Sequence, residues 1–161
     1  MKYFTIKELC VSGSYPKLVE IPKPGTEVYN NLTKLINTTL DPLREALGKP
    51  ITVTSGYRPE KLNNAIGGSK TSSHRFGLAA DIHTGNNSSD NLKIVSAMLE
   101  KGIDFDQIII EYPTFNISGD ITSAKWIHIG LSKTTNRKQV LYYYNKKYYP
   151  VKILKNFLFK K

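Results

Sequence analysis

Ser72-Ser-His-Arg-Phe-Gly-Leu-Ala-Ala-Asp81 decides how this chain is read, together with Trp126-Ile-His-Ile-Gly-Leu131. In the first stretch His74 stands on a polar loop, and Asp81 lies in an apolar run that predicts a strand over 78–83. The alanines before Asp81 allow close packing, so its carboxylate is expected to be partly buried. A buried carboxylate needs a cation or several donors to offset desolvation. In the second stretch, strand alternation puts Trp126, His128 and Gly130 on one face and Ile127 and Ile129 on the other. His74, Asp81 and His128 around one zinc ion would leave a fourth position open, as in catalytic rather than structural sites. Spacing alone does not decide the matter, because a histidine between isoleucines is more often a satisfied core residue than a ligand. His83 shares the Asp81 face and reads as a partly exposed strand-end residue.

Outward from these stretches, residues 51–54 predict a short strand that leaves through the turn Ser55-Gly-Tyr-Arg-Pro59. Residues 60–66 predict a short helix stopped by Gly67-Gly68. Upstream, Tyr29, Leu32, Leu35, Ile36, Leu40, Leu43 and Leu47 recur at helical spacing. That helix is capped by Thr26, kinked or split at Pro42 and ended by Gly48. Downstream, residues 87–102 predict a helix capped at Ser88 and Ser89. Residues 107–111 and 126–131 predict strands with a loop between them, and 140–144 with 148–154 predict a hairpin about Asn145-Lys-Lys147. Helices mixed with short strands imply an α+β fold, a small and mostly antiparallel sheet flanked by helices.

The 161 residues fit one domain spanning 1–161. No apolar run reaches the ~20 residues of a membrane span. The opening Met1-Lys-Tyr-Phe-Thr-Ile-Lys-Glu lacks the pattern of a secretory signal, so synthesis in the cytoplasm is expected. Cys10 is the only cysteine, which excludes an intrachain disulfide and a thiolate metal cluster; it reads as a small apolar residue. The net charge of +10 is placed unevenly: residues 121–161 carry all of the excess and no acid. A basic, Tyr- and Lys-rich hairpin region over about 133–161 is expected to favour polyanions, or simply to be a solvated face. Nucleic acid is the weaker candidate among the polyanions, since tyrosines are also good strand residues.

Ser55-Gly-Tyr-Arg58, Leu62-Asn63 with Gly67-Gly68-Ser69, Ser72-x-His74-x6-Asp81 and Trp126-Ile-His128, in that order, resemble the zinc D-alanyl-D-alanine carboxypeptidases. That group includes the phage L-alanyl-D-glutamate endopeptidases and shares its metal core with the hedgehog signalling domain. Tyr3-Phe-Thr-Ile-Lys-Glu-Leu9 is similar to the opening of the phage-type branch. The resemblance implies Zn2+ held by His74, Asp81 and His128, and substrate contacts from Arg58, Ser72 and Trp126. It makes Asn63 and Gly67-Gly68 scaffolding for the loop of His74. It also implies hydrolysis of a peptidoglycan stem peptide, by a zinc-activated water, at the bacterial cell wall after release through phage lysis or from a virion.

Many relatives carry an acid three residues before the last histidine ligand, where this chain has Lys125. The resemblance therefore moves the general base to Glu111 at the end of a strand, with Asp120 as the alternative, and gives Arg58 a catalytic role in stabilising an oxyanion. Trp126 takes the place of a second histidine. The departures at Lys125 and Trp126 keep open a non-catalytic zinc-containing wall-binding module. The basic C-terminal region is expected to contact anionic wall polymer.

Overall fold

The computed structural model describes residues 1–154 and 159–161. Eight strands organise it: β1 Ile51–Ser55, β2 Ala79–Thr84, β3 Gln107–Glu111, β4 Thr114–Phe115, β5 Ile121–Ser123, β6 Trp126–Gly130, β7 Gln139–Tyr144 and β8 Lys147–Pro150. Six of them form one sheet in the order β1-β2-β6-β3-β7-β8, with β4 and β5 pairing as a separate hairpin. That hairpin occupies the stretch expected to be loop. Lys152–Ile153 pairs with Phe159–Lys160 in a short ribbon of its own.

The main sheet is antiparallel except where β7 runs parallel to β3. The exception follows from the connection. Residues 131–138 carry the chain from the end of β6 past the start of β3, so β7 runs opposite to β6 and therefore alongside β3. Asp106 fixes the crossing: its carboxylate accepts from the Arg137 backbone N–H at 2.8 Å and its carbonyl accepts from Gln139 at 2.9 Å. The expected hairpin is present, but its second arm ends at Pro150 instead of 154, because Lys152–Ile153 pairs with Phe159–Lys160. Asn145 and Lys146 turn it with φ of 49° and 61°, as two-residue turns of the primed type require.

Among the described residues four α-helices complete the fold: α1 Glu27–Leu35, α2 Asp41–Leu47, α3 Glu60–Ala65 and α4 Leu92–Glu100. Thr26 caps α1 by accepting from Tyr29, and Gly48 ends α2 in the left-handed region. Pro42 cannot donate to the turn before it. The helix accommodates it through a wider π-turn over Ile36–Leu40, in which the Asp41 N–H reaches the Ile36 carbonyl. The expected caps at Ser88 and Ser89 are absent. Ser88–Asn91 form a 3-10 turn before α4, and no side-chain cap bond closes it. Buried Asn91 instead accepts from the Thr84 N–H and donates to the carbonyls of Ala124 and Lys125, tying the end of β2 to the start of β6.

Alternation gives the sheet two unlike faces. Ala80, Ile82, Ile108, Ile110, Ile127, Ile129 and Tyr142 turn into the core with Leu32, Leu35, Leu40, Leu43 and Met98 of the helical layer. Each fully buried Leu, Ile or Met side chain among them contributes about 1.5–3 kcal/mol. Cys10 is buried among them, and burial pushes its thiol up to about 11, so it stays an inert apolar residue. No described helix is long and apolar enough to cross a membrane. The opposite face carries Asp81, His128, Ile109, Glu111, Leu141 and Tyr143, and it is this face that opens into a cleft.

Candidate metal centre

Asp81 on β2 and His128 on β6 are direct cross-strand partners. His74 enters from the 3-10 turn Ser73–Phe76 just before β2. Gly77 ends that turn at φ 69°, where a Cβ would lie 2.8 Å from the Val28 carbonyl oxygen, so only glycine lets the chain return into β2 against α1. The three side chains meet closely. His128 Nδ1 is 2.9 Å from Asp81 Oδ1, and His74 Nε2 is 3.2 Å from both Asp81 Oδ1 and His128 Nδ1.

Contacts behind these atoms fix what each can offer. His74 Nδ1 lies 2.7 Å from the Gly56 carbonyl oxygen. A carbonyl only accepts, so the ring proton sits on Nδ1 and Nε2 presents a lone pair. Asp81 Oδ2 accepts from Arg58 Nη2 at 2.6 Å, and Arg58 Nε donates to Ser55 Oγ at 2.7 Å. The Ser55-Gly-Tyr-Arg58 motif thus acts as one bracket. Gly56 supplies the carbonyl that orients His74, and Arg58, held by Ser55, orients Asp81. Gly56 itself presses on Leu9, whose Cα would stand 3.0 Å from an added Cβ and whose carbonyl accepts from the Tyr57 N–H at 2.7 Å.

The inner arrangement is unstable without a cation. The lone pair of His74 Nε2 faces a carboxylate oxygen, and at most one proton on His128 Nδ1 is available to relieve the contacts among the three atoms. Protonating His74 would relieve them, but burial pushes its pKa down. Asp81 keeps its charge, because Arg58 Nη2 donates to its outer oxygen at 2.6 Å. A divalent metal fits instead. Two ligands at about 2.0–2.1 Å from a tetrahedral zinc stand about 3.3 Å apart, close to the 2.9–3.2 Å separations here. The ligand set of two histidines and one carboxylate, each braced from behind, is the type that binds zinc with a position to spare.

The centre opens into a cleft of about 680 Å³ lined by Arg58, Ser72, Glu111 and Trp126 as well as the three ligands. Glu111 ends β3 directly across from Trp126. Burial raises its carboxyl to about 7, with Asp81 adding to the shift while His128 and Arg58 oppose it. Asp120 is elsewhere, in the β4–β5 hairpin, where it accepts from Asn116 Nδ2 at 2.8 Å and faces Lys160. Lys125 is exposed, its ammonium 5.7 Å and 5.5 Å from the ring centres of Tyr112 and Trp126. His83 is half-buried and does not line the cleft. Asn63 donates to the carbonyls of Gly68 and Ser69 and so shapes the loop that forms one wall. Arg58, expected to face substrate, is committed first to Asp81, although it also borders the cleft. Sequence reasoning did not assign Gly56 its role, because a backbone carbonyl leaves no chemical signature. It also missed Tyr112, Tyr143, Tyr148 and Arg137 as lining residues; Tyr143 shares a face with Leu141 by strand alternation, which was a usable signal.

A family model described as Peptidase M15 matches residues 2–130. A curated relative, the zinc D-Ala-D-Ala carboxypeptidase of Streptomyces albus G, is 45% identical over 47 residues. That alignment covers 29% of this chain, and the chain spans 18% of the relative's length.

Proposed function

The chain belongs to the peptidase M15 family, and we propose that it is a zinc peptidase acting on the stem peptides of bacterial peptidoglycan. The observation that carries this reading is the facing of His74 Nε2, Asp81 Oδ1 and His128 Nδ1, three metal-ligating atoms that no hydrogen-bond scheme satisfies while buried His74 is neutral. These residues would hold the ion, and zinc bound there supplies Lewis acidity toward water and a substrate carbonyl.

The remaining work falls to the protein. Glu111, with its carboxyl near neutrality, takes the proton from the attacking water and returns it to the leaving amine. Its place on the cleft face of β3, one strand from His128, suits that transfer. Lys125 stands three residues before His128 but is exposed and does not line the cleft, so it does not compete as a base. Arg58 spends two donors on Asp81 and Ser55, and the rest of its fork is available to an oxyanion at the cleft wall. Ser72 and Trp126 border the same space and position the peptide.

Support for a peptidoglycan substrate comes from the family and from the named activity of the Streptomyces relative. Incubating purified stem-peptide fragments with the zinc-loaded protein, with and without chelator, tests the proposal by mass spectrometry. Chelator-sensitive loss of terminal D-Ala, or an internal cut, is the expected result. Intact fragments across several wall chemistries would refute it.

A further inference from the structure

We propose that Tyr112, Trp126, Tyr143 and Tyr148 form a saccharide subsite at the Glu111 end of the cleft, which seats the pyranose ring carrying a stem peptide. The inference rests on the peptidase reading above and adds a second element of recognition to it.

The four rings make a continuous chain. Tyr112 lies 5.1 Å from Trp126 and 5.7 Å from Tyr143, and Tyr143 lies 4.8 Å from Tyr148, all by ring centroids. Tyr112 and Tyr148 remain 53% and 59% exposed, a large apolar area to leave in water. Core packing does not account for it. Strand alternation sends Tyr142 and Tyr149 to the other face, where they stack at 5.1 Å against the core. Tyr143 and Tyr148, paired across β7 and β8, face the cleft. Tyr112 also holds φ at 50°, a conformation bulky residues rarely adopt and one that persists where surroundings impose it, typically at sites.

A pyranose matches this surface chemically. Its axial C–H groups form a flat, slightly electropositive face that suits electron-rich rings, and its equatorial hydroxyls reach the phenol groups at the rim. The short, acidic or cationic side chains of a stem peptide offer no such flat face. Lys125, over Tyr112 and Trp126, adds a donor beside the rings. The distances also agree. Trp126 is two residues from His128, about 7 Å along a strand, and Tyr143, level with Trp126 and two strands across, is about 12 Å from His128. An extended peptide spans about 3.3–3.6 Å per residue, so a sugar on the rings stands some two or three residues from a bond held at the metal centre.

Two readouts on the zinc-loaded full chain test the subsite. The first compares kcat/KM for a disaccharide-linked stem peptide with that for the same peptide free. The subsite predicts at least a tenfold preference for the linked form. The double variant Tyr112→Ala/Tyr148→Ala should bring the ratio near one, and Tyr148→Phe, which keeps the ring, should preserve most of it. The second readout uses Trp126, the only tryptophan. Titrating the Glu111→Gln protein with N-acetylglucosamine trisaccharide should shift its fluorescence saturably, and the double variant on that background should not respond. Equal kcat/KM on the two substrates, or fluorescence unmoved by the trisaccharide, overturns the subsite. Absence of cleavage on both substrates instead refutes the peptidase reading, and the fluorescence titration still decides the subsite.

Discussion

At the scale of single residues, the centre divides its labour between atoms that face inward and atoms that hold them there. Arg58 belongs to the second kind. Its Nη2 neutralises the outer oxygen of a carboxylate that is itself buried. Removing it by Arg58→Ala should weaken zinc binding by roughly 10–100-fold, the usual cost of losing a bracing partner, measured by competition with a chromogenic chelator. Glu111 gives a pH-dependent prediction with a defined sign. Its carboxyl is raised from 4.5 to about 7 in the folded, metal-free protein. Between those values the folded chain holds a proton that the unfolded chain has lost, so Glu111 makes stability fall as pH rises through this window. In chelator, the stability of Glu111→Gln relative to the parent should therefore grow from pH 4.5 to about 7 and then stay level. Urea unfolding across that range checks this, and an unchanging difference would show Glu111 to be solvated.

At the scale of elements, the bracket of Ser55-Gly-Tyr-Arg58 is the critical piece. It reaches the core through Leu9 and the metal centre through Gly56, so a Cβ at position 56 should disturb both. Gly56→Ala is expected to cost about 1–3 kcal/mol, the range for overpacking a close contact, and to weaken zinc binding as the carbonyl turns away from His74. Urea melts and the same chelator competition measure the two effects. Much of this scale was legible in the sequence. The strands of Asp81 and Glu111 follow from short apolar runs, that of His128 from alternation, and the helix from Val28 to Leu47 from its apolar spacing. The reasons for the rest are physical. Pro42 is absorbed by a π-turn because the widening lies upstream of it, and local propensity does not encode that choice. Ser88 and Ser89 look like caps, but Asn91 is the residue that tertiary contacts recruit. The parallel pairing of β7 depends on the path of residues 131–138, which pairing preferences along the chain do not reveal. The ligand triad was readable as three residues, whereas the Arg58–Asp81 pair became visible only once β1 and β2 were side by side.

At the scale of the whole molecule, one sheet separates two solvents: a dry core on the helical side and a polar cleft on the other. Metal binding to the folded chain should tie these together. Zinc at about 100 times its dissociation constant should stabilise the fold by about 2.7 kcal/mol, read as a rise in the thermal midpoint that chelator reverses and that His128→Ala lacks. The basic C-terminal quarter is less free than its charge suggests. Lys133, Arg137, Lys138 and Lys160 pair with Glu27, Asp106, Asp104 and Asp120. Lys125 and Lys161 are exposed and make no ion pair among the described residues, and the same holds for Lys146, Lys147 and Lys152. Pull-down on purified anionic wall polymer should accordingly be weak and lost with added salt, and charge reversal at these three positions should abolish it.

In the proposed centre His74, Asp81 and His128 hold a zinc ion beside a base, Glu111, that does not itself bind the metal. Glu111→Gln tests it most directly, with zinc stoichiometry by elemental analysis and stem-peptide turnover by mass spectrometry on the same preparation. The account predicts about one zinc per chain and a fall in kcat of roughly 10²–10⁴. Turnover equal to the parent's, or loss of zinc along with activity, would contradict it.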